Sequence, residues 1–157
     1  LVRRVGADEW QIFHALEKLA LVDSISEDVI IDLVEPNLTE NVFELFETAI
    51  KGETELLKDK LRILKQTEDI YRLSALLYSQ AFQLLAISAA VKDDNVAKDF
   101  GIHPFVVSKL ESVAKRVGKT GVAKIVKIFA EADRDMKISK AEPWILLERA
   151  LMKIANL

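Results

Sequence analysis

Residues 73–91 read LSALLYSQAFQLLAISAAV and contain no acidic or basic side chain. An apolar run of this length is long enough to be considered as a membrane span. Ser79, Gln80 and Gln83 lie in its middle, however, and a Gln in hydrocarbon is costly unless it has a partner. We therefore predict a buried central helix, and a helix that is apolar nearly all round needs neighbours on every side. That requirement fits the core of a helical bundle, or a bundle that shares this helix with another subunit.

The composition favours a folded, helix-rich protein. Half of the 157 residues are apolar and 30% are charged, with only five Gly and three Pro, which argues against disorder. The chain has no Cys, so a disulfide framework and a Cys-based zinc site are both excluded. A reducing cytoplasm is the expected setting for such a chain.

The charge is unevenly spread. Residues 1–36 hold three Lys or Arg against eight Asp or Glu, whereas residues 37–157 hold 19 against 17, and the whole chain carries −3. The change falls at Glu35-Pro36-Asn37, which we take as a domain boundary. The chain begins at Leu1, without a signal peptide pattern, so we expect it to be a fragment of something longer.

Helical spacing of apolar residues recurs along the chain, and no stretch alternates with a period of two. We therefore predict an all-α fold, a helical bundle without a sheet. Ser26, Thr39 and His103 are the predicted N-caps, and Gly52 and Gly118 are the predicted helix stops. The predicted helices cover residues 8–21, 27–34, 40–51, 53–66, 73–91, 104–117, 120–137 and 141–155.

Catalytic and metal-binding motifs are missing from the sequence. There is no GxxxxGK[ST] loop, GxSxG elbow, HExxH pair or Gly-rich dinucleotide turn, so we predict neither a catalytic site nor a cofactor. His14 and His103 are better explained as packing or capping residues than as metal ligands. Asp133 and Asp135 are spaced as in a calcium-binding loop, but Lys137 stands at the third ligand position, so calcium is not predicted.

Residues 97–110, AKDFGIHPFVVSKL, have the spacing of a helix-turn-helix unit, with Gly101 at the turn and Val107 on the second helix. The residues that begin this second helix, Pro104 and Phe105 followed by two Val, lack the bidentate donors that read bases. A packed corner is therefore favoured over DNA reading. A helix-turn-helix DNA-binding module remains the alternative.

A basic stretch follows on the same helix and on the next one. It contains six cations and one anion, Glu111. Such a stretch can bind phosphates, contact an acidic protein surface or simply be solvated. These candidate contacts are Lys109, Lys115, Arg116, Lys119, Lys124 and Lys127.

Several stretches together resemble one family. They are NVFELFETAIKG at 41–52, LLYSQAFQLLAI at 76–87, and FGIHPFVVSKL at 100–110 followed by FAEADRDMK at 129–137. They resemble the C-terminal part of the delta subunit of the bacterial DNA polymerase III clamp loader. GADEWQIFHALEKLAL at 6–21 is similar to the end of that family's small helical lid. The resemblance covers essentially the whole chain, and it rests on the order and spacing of moderate signatures, none of them catalytic.

The resemblance implies a domain order and a set of partners. In that family an AAA+ module comes first, then a helical lid, then a helical collar, so residues 1–36 would be the end of the lid and residues 37–157 the collar. The collar would join the other loader subunits, of tau/gamma and delta-prime type, in DNA replication in the bacterial cytoplasm. The sliding clamp would be bound only through the N-terminal module, which is absent here. Nonspecific DNA contact is possible, and no membrane is implied.

The same resemblance implies a member that does not hydrolyse ATP. ATP-hydrolysing lids usually present an Arg early in the helix after a Gly, whereas here Gly6 is followed by Ala7, Asp8, Glu9 and Trp10. A Glu would repel a γ-phosphate, although Arg3 and Arg4 upstream leave the point open.

The assembly role needs contact residues, and large or amphipathic side chains dominate the energetics of interfaces. On that ground the candidate partner contacts are Tyr78, Phe82, Gln83 and Trp144. Each is equally compatible with a position in the core.

Overall fold

The computed structural model describes residues 1–5, 9–34, 38–91 and 95–157. Those residues form helices and turns, and none of them lies in a strand, which confirms the all-α prediction. The helices are α1 (Val2–Val5), α2 (Glu9–Leu19), α3 (Glu27–Leu33), α4 (Leu38–Lys51), α5 (Thr54–Thr67), α6 (Ile70–Ala89), α7 (Val96–Asp99), α8 (Pro104–Lys137) and α9 (Pro143–Ala155).

The chain divides into two compact units, Leu1–Glu44 and Leu45–Leu157. The boundary predicted at Glu35-Pro36-Asn37 lies outside the described residues, so the division at 36 and 37 stays a prediction. The argument from Gly6, Ala7 and Asp8 also falls on residues that are not described.

The first unit has a small core of its own. The buried side chains Val5, Ala15, Leu19 and Val34 form one cluster that joins α1, α2 and α3. The predicted cap of α3 is confirmed, since the Ser26 hydroxyl accepts a hydrogen bond from the Val29 amide at 3.3 Å.

Of the two helix boundaries predicted in the next segment, the stop at Gly52 is confirmed and the cap at Thr39 is wrong. Gly52 ends α4 with φ +75°, the left-handed conformation predicted for it. The predicted cap at Thr39 is wrong, because α4 already includes Leu38 and Thr39 is a helical residue.

Helices α6 and α8 form the most extensive helix pair of the second unit, and α9 packs on α8. The Asp69 carboxylate caps α6, accepting from the amides of Tyr71 at 3.0 Å and Arg72 at 2.9 Å. Leu73, Leu77 and Leu84 are fully buried along its inner side. No helix of the described residues is long and apolar enough to cross a membrane.

Of the two possibilities that the sequence leaves open for α6, a core helix covered on every side by this chain is not what the structure has. Tyr71 is 62% exposed and Phe82 is 56% exposed, so one side of the helix faces outward. The other possibility drawn from the sequence, a helix shared with another subunit, is the one compatible with this burial.

Helix α8 is broken at Gly118, whose φ of +71° and ψ of 164° are not helical. The predicted stop at Gly118 is therefore confirmed, and the helix resumes directly after it. Beyond the break, the buried Asp135 carboxylate binds Arg134, Lys140 and Arg149 at 2.8, 3.2 and 3.1 Å. The last of these pairs joins α8 to α9.

Candidate functional site

The exposed side of α6 forms one wall of a shallow groove against the second half of α8, here called the α6–α8 groove. The exposed or half-exposed side chains on this side of α6 recur every three or four residues, which places them in one stripe along the helix. They are Tyr71, Ala75, Tyr78 and Phe82. The opposite wall is made by Val126, Phe129, Ala130, Asp133 and Met136. Asp133, which lines both parts of the groove, is paired with Lys137 at 2.6 Å, so the two charged side chains of the groove neutralise each other.

Tyr78 is held at the centre of this groove. Its hydroxyl donates to the Met136 Sδ at 3.6 Å, and its ring lies 5.5 Å from the ring of Phe129. The Phe129 ring in turn lies 5.8 Å from that of Phe46, which carries the aromatic packing into the core. Burial raises the pKa of the Tyr78 hydroxyl, so the side chain is neutral at physiological pH. Tyr78 is thus both a packing residue and part of the surface.

Phe82 is the exposed aromatic of the groove. Its ring meets the ring of Phe100 edge to face, with centroids 6.2 Å apart, and Phe100 is itself 53% exposed. The apolar stripe on α6 therefore continues to the turn after α7. Tyr71 and Phe100 were not among the residues predicted from the sequence. Tyr71 precedes Tyr78 by two helical turns, which was an available signal, whereas nothing in the sequence places Phe100 beside Phe82.

Gln83 and Trp144 do not share this groove. Gln83 follows Tyr78 by five positions, which turns it about 140° round the helix axis, and it is partly buried. Trp144 begins α9 and lines a depression with Lys58, Arg62 and Glu148. The four candidate contacts are therefore spread over different surfaces.

The six cations of the basic stretch are also spread over different surfaces, because adjacent residues on a helix point about 100° apart. Lys115 and Lys119 line a groove that also contains Glu111. Arg116 and Lys124 line a different groove, together with Lys51 from α4. The Lys109 ammonium lies 4.8 Å from the centre of the Phe105 ring, and Lys127 is exposed on α8.

The corner at residues 97–110 is packed. Val96 and Ile102 are buried against Ala86 of α6, and α7 before the turn has only four residues. The His103 Nδ1 accepts a hydrogen bond from the Phe105 amide at 3.2 Å, so the predicted cap is confirmed. A helix this short cannot lie across a DNA backbone as the first helix of a helix-turn-helix unit does.

Neither histidine lies in a cluster of side chains that could bind a metal ion. His14 lies on α2, where its ring stacks on Trp10 with centroids 5.5 Å apart and its Nδ1 lies 3.0 Å from a Glu17 carboxylate oxygen. Over the described ranges, no group of three or more His, Asp or Glu side chains has the arrangement of a metal site. Asp133 and Asp135 are helical residues bound to cations, so the calcium-like spacing does not form a loop.

Fold and groove together define an all-α helical domain whose central helix is covered on one side only. The model of the family described as DNA polymerase III delta subunit, C-terminal domain, matches residues 39–154. The chain belongs to this family.

Two relatives from Bacillus subtilis extend the comparison. The DNA polymerase III subunit delta of strain 168 is 27% identical over 164 residues, an alignment that covers 98% of this chain and 47% of the relative. A solved structure, the Bacillus subtilis DNA clamp loader delta protein, superposes with a TM-score of 0.85 at 23% identity, covering 99% of this chain and 49% of that one. The second likeness shows the fold. The chain thus spans about half the length of the relatives it matches.

Proposed function

We propose that this chain is the part of a clamp-loader delta subunit that holds the subunit in the loader, and that the α6–α8 groove receives a neighbouring loader subunit. Its role is then in DNA replication in the cytoplasm, and it is not catalytic. The expected neighbours are loader subunits of the tau/gamma and delta-prime type. Contact with the sliding clamp belongs to the preceding half of the full-length protein rather than to these residues.

Within this proposal, residues 1–36 are the end of a helical lid and residues 37–157 are a collar. The family match, which begins at residue 39, supports the second assignment. The charge balance, which changes at the same place, supports the division.

The observation that carries the proposal is the exposed uncharged stripe on α6. Tyr71 and Phe82 expose more than half of their surface, in the helix pair that forms the centre of the second unit. Covering such side chains with a partner is favourable by about 25 cal/mol per Å² of apolar surface removed from water. Aromatic side chains of this kind are the usual anchors of interfaces.

The corner at residues 97–110 gives no support to the helix-turn-helix alternative. Pro104 and Phe105 begin α8, the side chains behind them pack on α6, and the helix before the turn is a single turn long. Assembly is therefore the function that the arrangement supports best.

The test is complex formation between the intact chain and the ATPase subunit of the same organism's clamp loader, followed by light-scattering chromatography. Phe82→Asp places a charge in the groove at a side chain that is 56% exposed, so the fold should tolerate it. Ile63→Asp is the matched control, because Ile63 is 63% exposed on α5 and does not line the groove.

We expect Phe82→Asp to weaken the complex at least about tenfold, which corresponds to the 1.5–3 kcal/mol gained when a Phe is buried. Ile63→Asp should bind as the parent chain does, and both variants should melt as the parent does. Equal binding by Phe82→Asp and the parent would show that the groove is not the contact surface.

A further inference from the structure

The two ends of the α6–α8 groove differ in their chemistry. Around Phe82 the lining side chains are apolar apart from Tyr78 and Asp133. The other end, here called the polar end, combines two aromatic rings with one carboxylate and one ammonium group. Its walls are Tyr71, Tyr78, Asp133 and Lys137, with the small side chains of Ser74 and Ser139 between them.

Asp133 is the more covered member of the ion pair at the polar end. Its side chain is 38% exposed, whereas that of Lys137 is 72% exposed and lies at the rim. An ion pair between two side chains that remain in water contributes little. A partner that covers the groove takes water away from the Asp133 carboxylate, which then needs a cation at close range to offset the cost.

The tyrosines place aromatic rings beside this carboxylate. Tyr71 is 62% exposed, and Tyr78 is half-buried. Burial is the main cause that raises the pKa of the Tyr78 hydroxyl, and the negative charge of Asp133 raises this pKa further, so the carboxylate lies near the phenol. The Tyr78 hydroxyl donates to the Met136 Sδ at 3.6 Å, which leaves the Asp133 carboxylate free to accept from a partner.

An aromatic face next to a carboxylate is a binding site for a planar cation. A guanidinium group can donate two parallel hydrogen bonds to a carboxylate and stack on a neighbouring aromatic ring with the same flat group. A lysine ammonium is a compact, strongly hydrated point charge without such a face. Arginine is also one of the residues enriched at protein interfaces.

We propose that the polar end of the α6–α8 groove receives an arginine side chain of the neighbouring loader subunit, which stacks on Tyr71 and binds the Asp133 carboxylate in place of Lys137. This inference rests on the proposed function and adds the chemistry of the partner, an apolar surface that carries one arginine. The apolar end of the groove provides burial, and the arginine fixes the position of the partner along the groove.

The experiment measures the dissociation constant of the complex between the intact chain and the ATPase subunit of the same organism's clamp loader, at low and at physiological salt. Asp133→Asn removes the charge and keeps the shape of the side chain. We expect it to weaken the complex at least about fivefold, because a charge-assisted hydrogen bond is lost. The affinity of this variant should also depend less on salt than that of the parent.

Glu131→Gln is the matched control. Glu131 lies on α8 like Asp133, its side chain is 41% exposed, and its carboxylate lies 3.8 Å from the Lys153 ammonium. It is thus a similar carboxylate with a similar partner, but it does not line the groove. Glu131→Gln should bind within about twofold of the parent.

Lys137→Gln should change the affinity in the opposite direction. It removes the cation that occupies the Asp133 carboxylate in the free chain, and it removes a like charge from beside the incoming arginine. The complex should therefore be about two- to fivefold tighter. If the partner instead contacted the intact Asp133–Lys137 pair, Lys137→Gln would weaken the complex as Asp133→Asn does.

Two substitutions of Tyr71 separate stacking from apolar burial. Tyr71→Phe keeps the ring and should bind within about twofold of the parent, whereas Tyr71→Leu keeps only the apolar bulk and should bind about two- to fivefold more weakly. A contact that depended on apolar burial alone would tolerate both substitutions equally.

Chemical modification identifies the arginine on the partner. Phenylglyoxal modifies accessible arginines, and mass spectrometry locates the modified residues. One arginine of the ATPase subunit should be protected in the saturated complex with the parent chain and should react in the saturated complex with Asp133→Asn. Circular dichroism melting establishes that each variant is folded.

Three results would overturn the inference: equal affinity of Asp133→Asn and the parent, weaker binding by Lys137→Gln, or the absence of any arginine whose protection depends on Asp133. Phe82→Asp distinguishes these failures from failure of the proposed function. If Phe82→Asp weakens the complex and Asp133→Asn does not, the groove is the contact surface and the arginine is wrong. If neither variant weakens it, the proposed function and this inference both fail.

Discussion

Asp135 is a buried carboxylate, and its cationic neighbours offset the free-energy cost of burying its charge. It is 2% exposed and lies within 3.2 Å of nitrogen atoms of Arg134, Lys140 and Arg149. The hydrogen bond from Arg134, with further help from Lys140, lowers the pKa of the carboxyl to about 2. Breaking such a cluster on one side leaves the remaining charges buried without a partner.

The lowered pKa predicts how stability depends on pH. A carboxyl whose pKa falls from 3.8 to about 2 on folding contributes stability that is fully present above pH 3.8 and is lost as the pH falls through 2. Asp135→Asn should therefore melt at a lower temperature than the parent at pH 7, and this difference should shrink as the pH approaches 2. Thermal unfolding of both proteins across that pH range measures it. A difference that stays constant down to pH 2 would contradict the assignment.

Gly118 is the residue whose backbone conformation matters most, because the direction of the second half of α8 depends on it. A Cβ there would meet no atom within 4 Å, so the cost of a side chain is conformational rather than steric. Gly118→Ala should lower the free energy of unfolding by about 1–3 kcal/mol. Chemical denaturation measures this, with Ser112→Ala on the exposed side of α8 as the control expected to stay within about 0.5 kcal/mol. Equal stability of Gly118→Ala and the parent would mean that the break does not require Gly.

Helix α6 shows how far a pattern within one element can be interpreted. The uncharged run predicted the helix and its central place, and the structure has it at Ile70–Ala89. It did not predict which side is covered, because the run is uncharged on every side and the covered side depends on where α8 packs. That register joins residues about fifty positions apart, such as Tyr78 and Phe129. The apolar pattern of one helix carries no information about how that helix is aligned with another.

Gln80 provides a test of packing on α6. Its side chain is 5% exposed, and its Oε1 has no hydrogen-bond partner among the described residues. A buried acceptor without a partner costs about 1–3 kcal/mol. Gln80→Met, which has a similar volume, should therefore raise the melting temperature. A fall in melting temperature would show that the amide is satisfied in solution, for instance by water.

The two grooves differ in how well the sequence predicted them. Tyr78 and Phe82 were chosen as candidates by residue type, and both line the α6–α8 groove because they lie one turn apart on the same helix. That they contact a partner stays a prediction. The groove lined by Lys51, Arg116 and Lys124 could not be predicted from the sequence, because Lys51 comes from α4 and because Lys115 and Arg116, although adjacent, line different grooves. Adjacent residues on a helix point about 100° apart, so a run of cations is not a surface.

At the scale of the whole molecule, composition and periodicity predicted an all-α chain and most of the helix boundaries. The spacing at residues 97–110 fits a DNA-reading unit as well as a packed corner, since a small residue, a turn Gly and apolar contacts serve either purpose. The packed corner, which the sequence favoured, is what the structure has. The division at residues 36 and 37 remains a prediction. A change in charge balance reports only which residue types are present, whereas a structural boundary depends on which residues contact one another.

Because the sequence contains no Cys, single thiols can report directly whether the α6–α8 groove is covered by a loader subunit. Phe82→Cys and Ile63→Cys each introduce a single exposed thiol, one in the α6–α8 groove and one outside it, and their rates of maleimide labelling are compared with and without the ATPase subunit. If the groove is the contact surface, the subunit slows labelling of Phe82→Cys at least about tenfold and leaves Ile63→Cys unchanged, because interface cores exclude solvent. If a stable complex forms and Phe82→Cys still reacts at its free rate, the groove is not where the loader subunit binds.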